Sequence, residues 1–321
     1  MPKLPLVVVP GDDPEQIANA PALQRLEGKA RVRVFETRPK SLEDKWERVH
    51  DADIILNSRG SITWREDDFQ QLPNLKLIAT CSVGTDSIDL IAARERGIVV
   101  SNQPGVNARF VAEHMFGLMF AVAKNAAEQT ALLRQGLWQP TQNIMLQGKQ
   151  LGIVGTGAIG AEMARLGRSI GMDVVAWSFN PSAEREAELG VRFVSFEALL
   201  RESHVVSLHV RLSDDSRGLI GAEQLALMRP DAILLNGARG PVVDTPALTQ
   251  ALTEGRLFGA GIDVFDEEPV PANLALLQCP RLIMTPHAAD QTPEAVVATN
   301  EGAVANILAF LEGAPKVNAA S

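Results

Sequence analysis

The stretch Leu151-Gly152-Ile153-Val154-Gly155-Thr156-Gly157-Ala158-Ile159-Gly160 sets G-x-G-x-x-G directly behind an apolar run of strand character. In such a turn Gly155 permits the tight reversal and Gly157 admits a pyrophosphate to the backbone at a helix N-terminus. Gly160 lets that helix lie close on the strand. The residues that follow carry Ile159, Met163, Leu166 and Ile170 at offsets 0, 4, 7 and 11, which is one face of a helix. A glycine triplet alone also suits an ordinary core turn. Strand, triplet and amphipathic helix in register point to dinucleotide binding. Roughly 150 residues precede the loop, enough for a separate unit.

The surrounding pattern is short β-branched runs alternating with helix-length amphipathic stretches, which predicts an α/β chain of doubly wound parallel sheets. Strands are expected at Leu6–Val9, Val32–Phe35 after a helical stretch, Asp53–Leu56, Leu75–Ala79 and Ile98–Val100. Pro and Gly close this first unit near Ser101–Gly105. A long helix is expected over about Ala108–Gln135, with Val111, Met115, Leu118 and Val122 inward. A second series opens at Lys149, with strands at Gln150–Val154, Asp173–Ala176, Val205–His209, Ile233–Asn236, Ala260–Val264 and Leu282–Thr285. Pro293–Glu312 reads as a helix whose apolar face (Val296, Val297, Ala303, Val304, Ile307, Leu308, Leu311) must dock, the first unit being the nearest support.

Three of the later strands end on reactive side chains. Arg239 follows one, Glu268 stands in the acidic turn after the next, and His287 follows the third in Thr285-Pro286-His287. Open α/β sheets hold ligands at the carboxyl ends of their strands. Guanidinium, carboxylate and imidazole there suit carbonyl/alcohol interconversion by hydride transfer. His287 would move the hydroxyl proton, Glu268 would favour the imidazolium, and Arg239 would clamp a carboxylate and polarise the adjacent carbonyl. Singly, each is more often structural or solvated; their shared placement downstream of the glycine loop favours catalysis. Glu113 and His114 read as a structural polar pair on the long helix.

Near residue 178, where an acidic residue would hold the adenosine ribose, the chain reads Trp177-Ser178-Phe179-Asn180. Ser178 could bond a ribose hydroxyl or a 2′-phosphate, with Arg185 close by in sequence. NAD is favoured and NADP stays open. Thirty basic against 39 acidic residues give a net charge of −9, which disfavours nucleic acid and anionic membranes. Any anionic ligand then needs locally built positive potential. Cys81 and Cys279 lie far apart, which excludes a disulfide framework and a thiolate zinc site and suits the cytoplasm. The N-terminal apolar run is too short for a signal peptide, and Met115–Ala123 is too short to span a bilayer.

Taken with Ser82-Val83-Gly84-Thr85-Asp86, Asn102-Gln103-Pro104-Gly105, Val111-Ala112-Glu113-His114, Asn236–Gly240, Asp263–Pro269 and Thr285-Pro286-His287, the chain resembles the D-isomer-specific 2-hydroxyacid dehydrogenases over nearly its whole length. The resemblance implies a flavodoxin-like catalytic domain at residues 1–101 plus 288–321. A Rossmann cofactor domain would span 102–287, and the protein would be a homodimer. It also implies that Arg239, Glu268 and His287 are catalytic and that Ser82, Val83 and Gly84 offer backbone N–H groups to the substrate carboxylate. Ala158 and Ile159 would cover the pyrophosphate, with His209 and Val210 along the adenosine. Gly237, Ala238 and Arg239 would line the cofactor, and Asp263 would hold the nicotinamide carboxamide. The implied substrate is a small 2-keto or 2-hydroxy acid of glyoxylate, hydroxypyruvate or pyruvate type. Departures are Arg211 where His-x-Pro is usual, Ala289 where glycine is common after the histidine, and the missing ribose carboxylate. Formate dehydrogenases of the superfamily place Gln where Glu268 stands, so Glu268 favours a hydroxy acid/keto acid couple. Two alternatives stay open: a NAD-sensing scaffold like the corepressors built on this fold, and dehydrogenation of another small anion such as phosphite. The corepressor reading wants partner tails, and beyond Val317–Ser321 no long tail is seen.

Overall fold

The computed structural model describes residues 3–60 and 62–314; the Val317–Ser321 tail lies outside the described residues. Two compact units emerge, one drawn from Met1–Asn107 and Gln291–Ser321, the other Ala108–Asp290. Each is built on a wholly parallel sheet.

In the first unit, β1 (Leu6–Val9), β2 (Arg31–Val34), β3 (Ile54–Asn57), β4 (Leu77–Thr80) and β5 (Val99–Ser101) run in the order β2-β1-β3-β4-β5. Strands β1, β3 and β4 are buried along their entire length, as a parallel sheet covered on both faces requires. Leu6, Val8, Ile55 and Ile78 pack on one face with Trp64 and Phe69. Val7, Val9, Ile54, Leu56 and Leu77 pack on the other with Ala303, Val304, Ile307 and Leu308 of the terminal helix, Pro293–Leu311. That helix therefore docks where its apolar face called for it, although Val297, expected on the face, is 59% exposed. Thr292 caps its start by accepting from the Ala295 N–H. Buried Gln103 ties it to β4, donating to the carbonyls of Thr80 and Thr299 at 2.9 and 2.7 Å. The helix expected before β2 reduces to a six-residue 3₁₀ helix, Pro21–Leu26. Pro10 and Pro14 withdraw backbone donors upstream of it, while Pro21 opens the helix at a position where no donor is needed.

The second unit orders its strands β12-β11-β10-β9-β6-β7-β8. They are β6 (Gln150–Val154), β7 (Asp173–Trp177), β8 (Arg192–Phe193), β9 (Val205–Leu208), β10 (Ile233–Asn236), β11 (Gly259–Ile262) and β12 (Leu282–Met284). The two-residue β8 was not anticipated, being too short to carry a periodic signal. Helix Ala108–Ala123 lies on β10 and β11, where a Cβ on Gly261 would stand 3.1 Å from the Leu118 Cβ. Its apolar run is thus core, and no helix among the described residues is long and apolar enough to cross a membrane. The single helix expected to reach Gln135 is instead broken, with a second helix at Ala126–Arg134. Asn125 turns left-handed (φ 48°), its side chain donates to the Gln142 carbonyl, and Lys124 donates to the Ile144 carbonyl. Two side-chain bonds to a crossing segment thereby replace the helical ladder.

Replacing Ile307 by Ala removes a fully buried side chain between the terminal helix and the sheet, and should cost roughly 3 kcal/mol. Val297→Ala should cost less than about 0.5 kcal/mol. Guanidinium unfolding midpoints of the two variants measure the contrast.

Candidate active site

At the end of β6 the three loop glycines answer three different spatial demands. Gly155 is left-handed (φ 96°), and a Cβ on it would sit 2.8 Å from the carbonyl carbon and oxygen of His209 and 2.9 Å from the Val210 nitrogen. The His209–Val210 peptide is therefore seated directly on the glycine loop. A Cβ on Gly160 would stand 2.1 Å from the Gly155 carbonyl oxygen, so helix and strand could not approach as they do. Gly157 opens the helix Ala158–Ser169 with no side-chain cap, and a Cβ there would meet nothing within 4 Å. The helix's first amides lack intrahelical acceptors and carry the positive end of its dipole. Amides without a side-chain cap, at a helix start where Gly157 leaves room for a ligand, fit the pyrophosphate of a dinucleotide.

Around that loop, Arg185 donates through Nε and Nη2 to the Thr156 carbonyl at 3.0 and 2.6 Å, and through Nη1 to Glu188. It braces the glycine loop in this structure. The Ser178 hydroxyl accepts from the Asn180 N–H at 3.2 Å. Beside it the Trp177 ring packs on Phe179 and Phe196. His209 is half-buried, with Nε2 2.8 Å from the Ser207 hydroxyl, and desolvation pushes its pKa down to about 4. Its ring is neutral at neutral pH, and its backbone carbonyl lies against the glycine loop.

The three strand-end residues come from β10, β11 and β12, neighbours in one sheet. After β10, Asn236 closes its own turn: its amide donates to the Arg239 carbonyl at 3.0 Å and accepts from the Ala238 N–H at 3.1 Å. Arg239 Nη1 donates back to the Ala238 carbonyl. The following Gly240 lies so near the β11 loop that a Cβ would be 2.0 Å from the Phe265 carbonyl carbon. That contact carries the Arg239 turn up against the segment bearing Glu268. Glu268 is set by the Phe265 N–H, which donates to Oε1 at 3.0 Å, while Oε2 lies 2.6 Å from His287 Nδ1.

This last pair shifts both partners. The Glu268 hydrogen bond, helped by its charge and that of Asp263, holds the His287 pKa above its ordinary value against burial and the nearby Arg239 charge. Burial would raise the Glu268 carboxyl, but the hydrogen bonds from His287 and the Phe265 N–H, with the charges of His287 and Arg239, bring it below the usual range. An imidazolium–carboxylate pair beside a guanidinium, with its side chains 44% and 37% exposed for His287 and Glu268, is chemically a proton donor open to a ligand.

Beneath it lies Asp263, 1% exposed. Its carboxylate accepts from the Thr285 hydroxyl at 2.5 Å and from the N–H groups of Ala288 and Ala289 at 2.8 and 3.0 Å. His114, expected to form a polar pair with Glu113, is instead 2.8 Å from the Thr285 hydroxyl, while Glu113 faces solvent. Asn236, Thr285 and His114 carry the site without having been singled out for it. Thr285 and Asn236 stand inside strand-end motifs and His114 inside Val111-Ala112-Glu113-His114, which was the available signal.

In the first unit the loop after β4 holds Ser82, Val83 and Gly84. Thr80 Oγ1 donates to the Ser82 carbonyl, Asn102 Nδ2 to that of Val83 and Ser82 Oγ to that of Gly84.

Residues 116–289 match the family model of the D-isomer specific 2-hydroxyacid dehydrogenase, NAD binding domain. The chain is 39% identical to a glyoxylate reductase of Thermococcus litoralis over 278 residues, 83% of each protein. It is 36% identical to a glycerate dehydrogenase of Methylorubrum extorquens, covering 86% of this chain and 90% of the relative. Among solved structures, a D-lactate dehydrogenase from Aquifex aeolicus complexed with NAD and lactic acid superimposes with a TM-score of 0.85, at 29% identity over 96% of each chain.

Of the five histidines, His287 should hold its proton to a pH above the ordinary imidazole midpoint of about 6.5, and His209 should titrate only near pH 4. Replacing Glu268 by Gln removes the group that raises the His287 pKa, so its midpoint should fall. NMR titration of histidine-labelled protein reads both values directly.

Proposed function

The chain belongs to the D-isomer-specific 2-hydroxyacid dehydrogenase family and is a NAD-dependent oxidoreductase, and on that premise we propose that it reduces a small 2-keto acid to the D-2-hydroxy acid with Arg239, Glu268 and His287 as its catalytic residues. The observation that carries this reading is the 2.6 Å His287–Glu268 pair beside Arg239, at the same sheet edge as the glycine loop. The names of the relatives, glyoxylate reductase and glycerate dehydrogenase, favour a substrate of the glyoxylate or hydroxypyruvate type.

Bound NADH would supply the hydride to the carbonyl carbon. His287, engaged with Glu268 through Nδ1, has Nε2 left to give the proton that the carbonyl oxygen takes up, so that one hydride and one proton convert ketone to alcohol. Glu268 keeps that proton available by stabilising the imidazolium. Arg239 takes the substrate carboxylate with its planar fork and polarises the adjacent carbonyl. The family resemblance implies that the Ser82–Gly84 loop would offer backbone N–H groups to a substrate carboxylate. On the cofactor side, Gly155, Gly157, Ala158, Ile159 and Gly160 would hold the pyrophosphate. Ser178, His209 and Val210 would lie along the adenosine, and Gly237, Ala238 and Asp263 along the nicotinamide half. The protein would work as a homodimer in the cytoplasm. Trp138, 86% exposed, with Leu133, Leu137 and Met145, offers an apolar surface for a second copy, and both cysteines are free thiols.

The deciding experiment crosses NADH and NADPH against glyoxylate, hydroxypyruvate, pyruvate and bulkier 2-keto acids, following cofactor oxidation by absorbance. His287→Ala should lower kcat by on the order of a thousandfold. Arg239→Ala should raise KM and lower kcat together. Because reduction needs the imidazolium, its rate should fall as pH rises through the raised His287 pKa, while alcohol oxidation rises over the same range. Full activity in both variants would sink the assignment.

A further inference from the structure

We propose that His114 is a positioning residue for His287, acting through Thr285 and Asp263 as a side-chain brace from the helix Ala108–Ala123 to the catalytic loop. The proposal rests on the role given to His287 above.

His287 is not in a relaxed backbone conformation. Its φ is 50°, in the left-handed region that a residue with a Cβ occupies only when the surroundings enforce it. The enforcement is visible. The His287 N–H donates to the Asp263 carbonyl at 2.8 Å, and the next two N–H groups, of Ala288 and Ala289, donate to the two oxygens of the Asp263 carboxylate. One aspartate thus grips three consecutive amides. The grip works only while its carboxylate keeps one orientation, and a carboxylate taken by two N–H groups can still rotate or tilt about its own bonds.

Thr285 supplies the third hold, with its hydroxyl 2.5 Å from Oδ1. A carboxylate only accepts, so Thr285 gives it the one proton that the hydroxyl has. The Thr285 oxygen then faces His114 as an acceptor, and the 2.8 Å contact requires His114 to carry its hydrogen on Nε2. The chain of donors runs in one direction, from His114 Nε2–H to the Thr285 oxygen and from the Thr285 hydroxyl to Asp263. His114 Nε2 is also 3.6 Å from Asp263 Oδ1, so its ring stands against the same carboxylate. What position 114 must provide is an N–H donor at this reach. A charge is not needed, nor a ring as such.

The consequence falls on the proton donor. The charged groups facing His287 are Glu268 and Asp263, which raise its pKa, and Arg239, which lowers it. The 2.6 Å bond to Glu268 is the largest of these influences and depends on the angle at which the strained loop presents the ring. Loosening the brace lets the loop relax, lengthens that bond and lowers the pKa of the proton donor. Substrate-carboxylate binding by Arg239 is left alone.

The test compares His114→Ala, His114→Gln and Thr285→Val with the unmodified enzyme. In His114→Ala, kcat for keto acid reduction should fall about tenfold with KM for the keto acid changed less than twofold, and the descending limb of the pH profile should move to lower pH. His114→Gln keeps an N–H donor at similar reach and should restore both kcat and the limb. Thr285→Val, which keeps shape and loses the hydroxyl, should resemble His114→Ala. The His287 NMR titration gives the same comparison without turnover, so it tests the brace even if no 2-keto acid proves to be a substrate. An unchanged His287 midpoint in both His114→Ala and Thr285→Val would overturn the proposal. So would equal loss in His114→Gln and His114→Ala, since a merely space-filling role predicts no rescue by an amide.

Discussion

Parallel pairing of β10, β11 and β12 is the constraint on which the candidate site depends. Registers Leu234–Ala260 and Ala260–Leu282 align the three strands so that each carboxyl end opens at the same edge. Arg239, Glu268 and His287 then need only short loops to meet, and each loop is held by backbone contacts of its own. The glycine loop leaves β6 at that edge too, because β9 alone separates β6 from β10. The proposed proton donor, carboxylate clamp and pyrophosphate-binding helix end are thereby delivered by one architectural rule. No residue of the trio has to be carried on a long insertion.

Electrostatics follows the same economy. A chain of net charge −9 has no general attraction for an anionic acid or dinucleotide. The field that matters is local: Arg239, the first amides of the helix after Gly157, and an imidazolium sustained by Glu268. Placing Glu268 there introduces a negative charge at a site meant for anions. The pair resolves this, because the carboxylate is engaged by His287 Nδ1 and the Phe265 N–H while the proton it secures sits on the half-exposed ring of the proposed proton donor. The acid works through the base it stabilises.

Both sheets, the docked terminal helix and the strand-end trio were legible in the sequence, since buried parallel strands write continuous apolar runs and strand ends fall at fixed offsets from them. What was not legible has identifiable causes. The break at Asn125 depends on side-chain bonds to residues 142 and 144, which no local pattern announces. The shortening of the helix before β2 was announced by Pro10 and Pro14, but the expectation of strand–helix alternation overrode it. Strand β8 has two residues and so no period at all. His114 was paired with Glu113 by sequence adjacency alone, whereas adjacent helix residues point apart and its partner Thr285 lies 171 positions away past β12.

Two kinds of backbone exception meet in this unit, and they divide the work differently. Gly155, Gly160 and Gly240 are places where a side chain is forbidden by a neighbouring backbone, so glycine removes the conflict and nothing further is required. His287 cannot use that solution, because the strained position is also the one that must carry the imidazole. Its strain has to be opposed by bonds, and Asp263 provides them to residues 287, 288 and 289 together. A buried carboxylate engaged in this way is poorly suited to be replaced piecemeal: removing any one donor leaves the others bound to a group that can move. That is why a threonine hydroxyl and a histidine on a distant helix matter to a proton that neither of them touches.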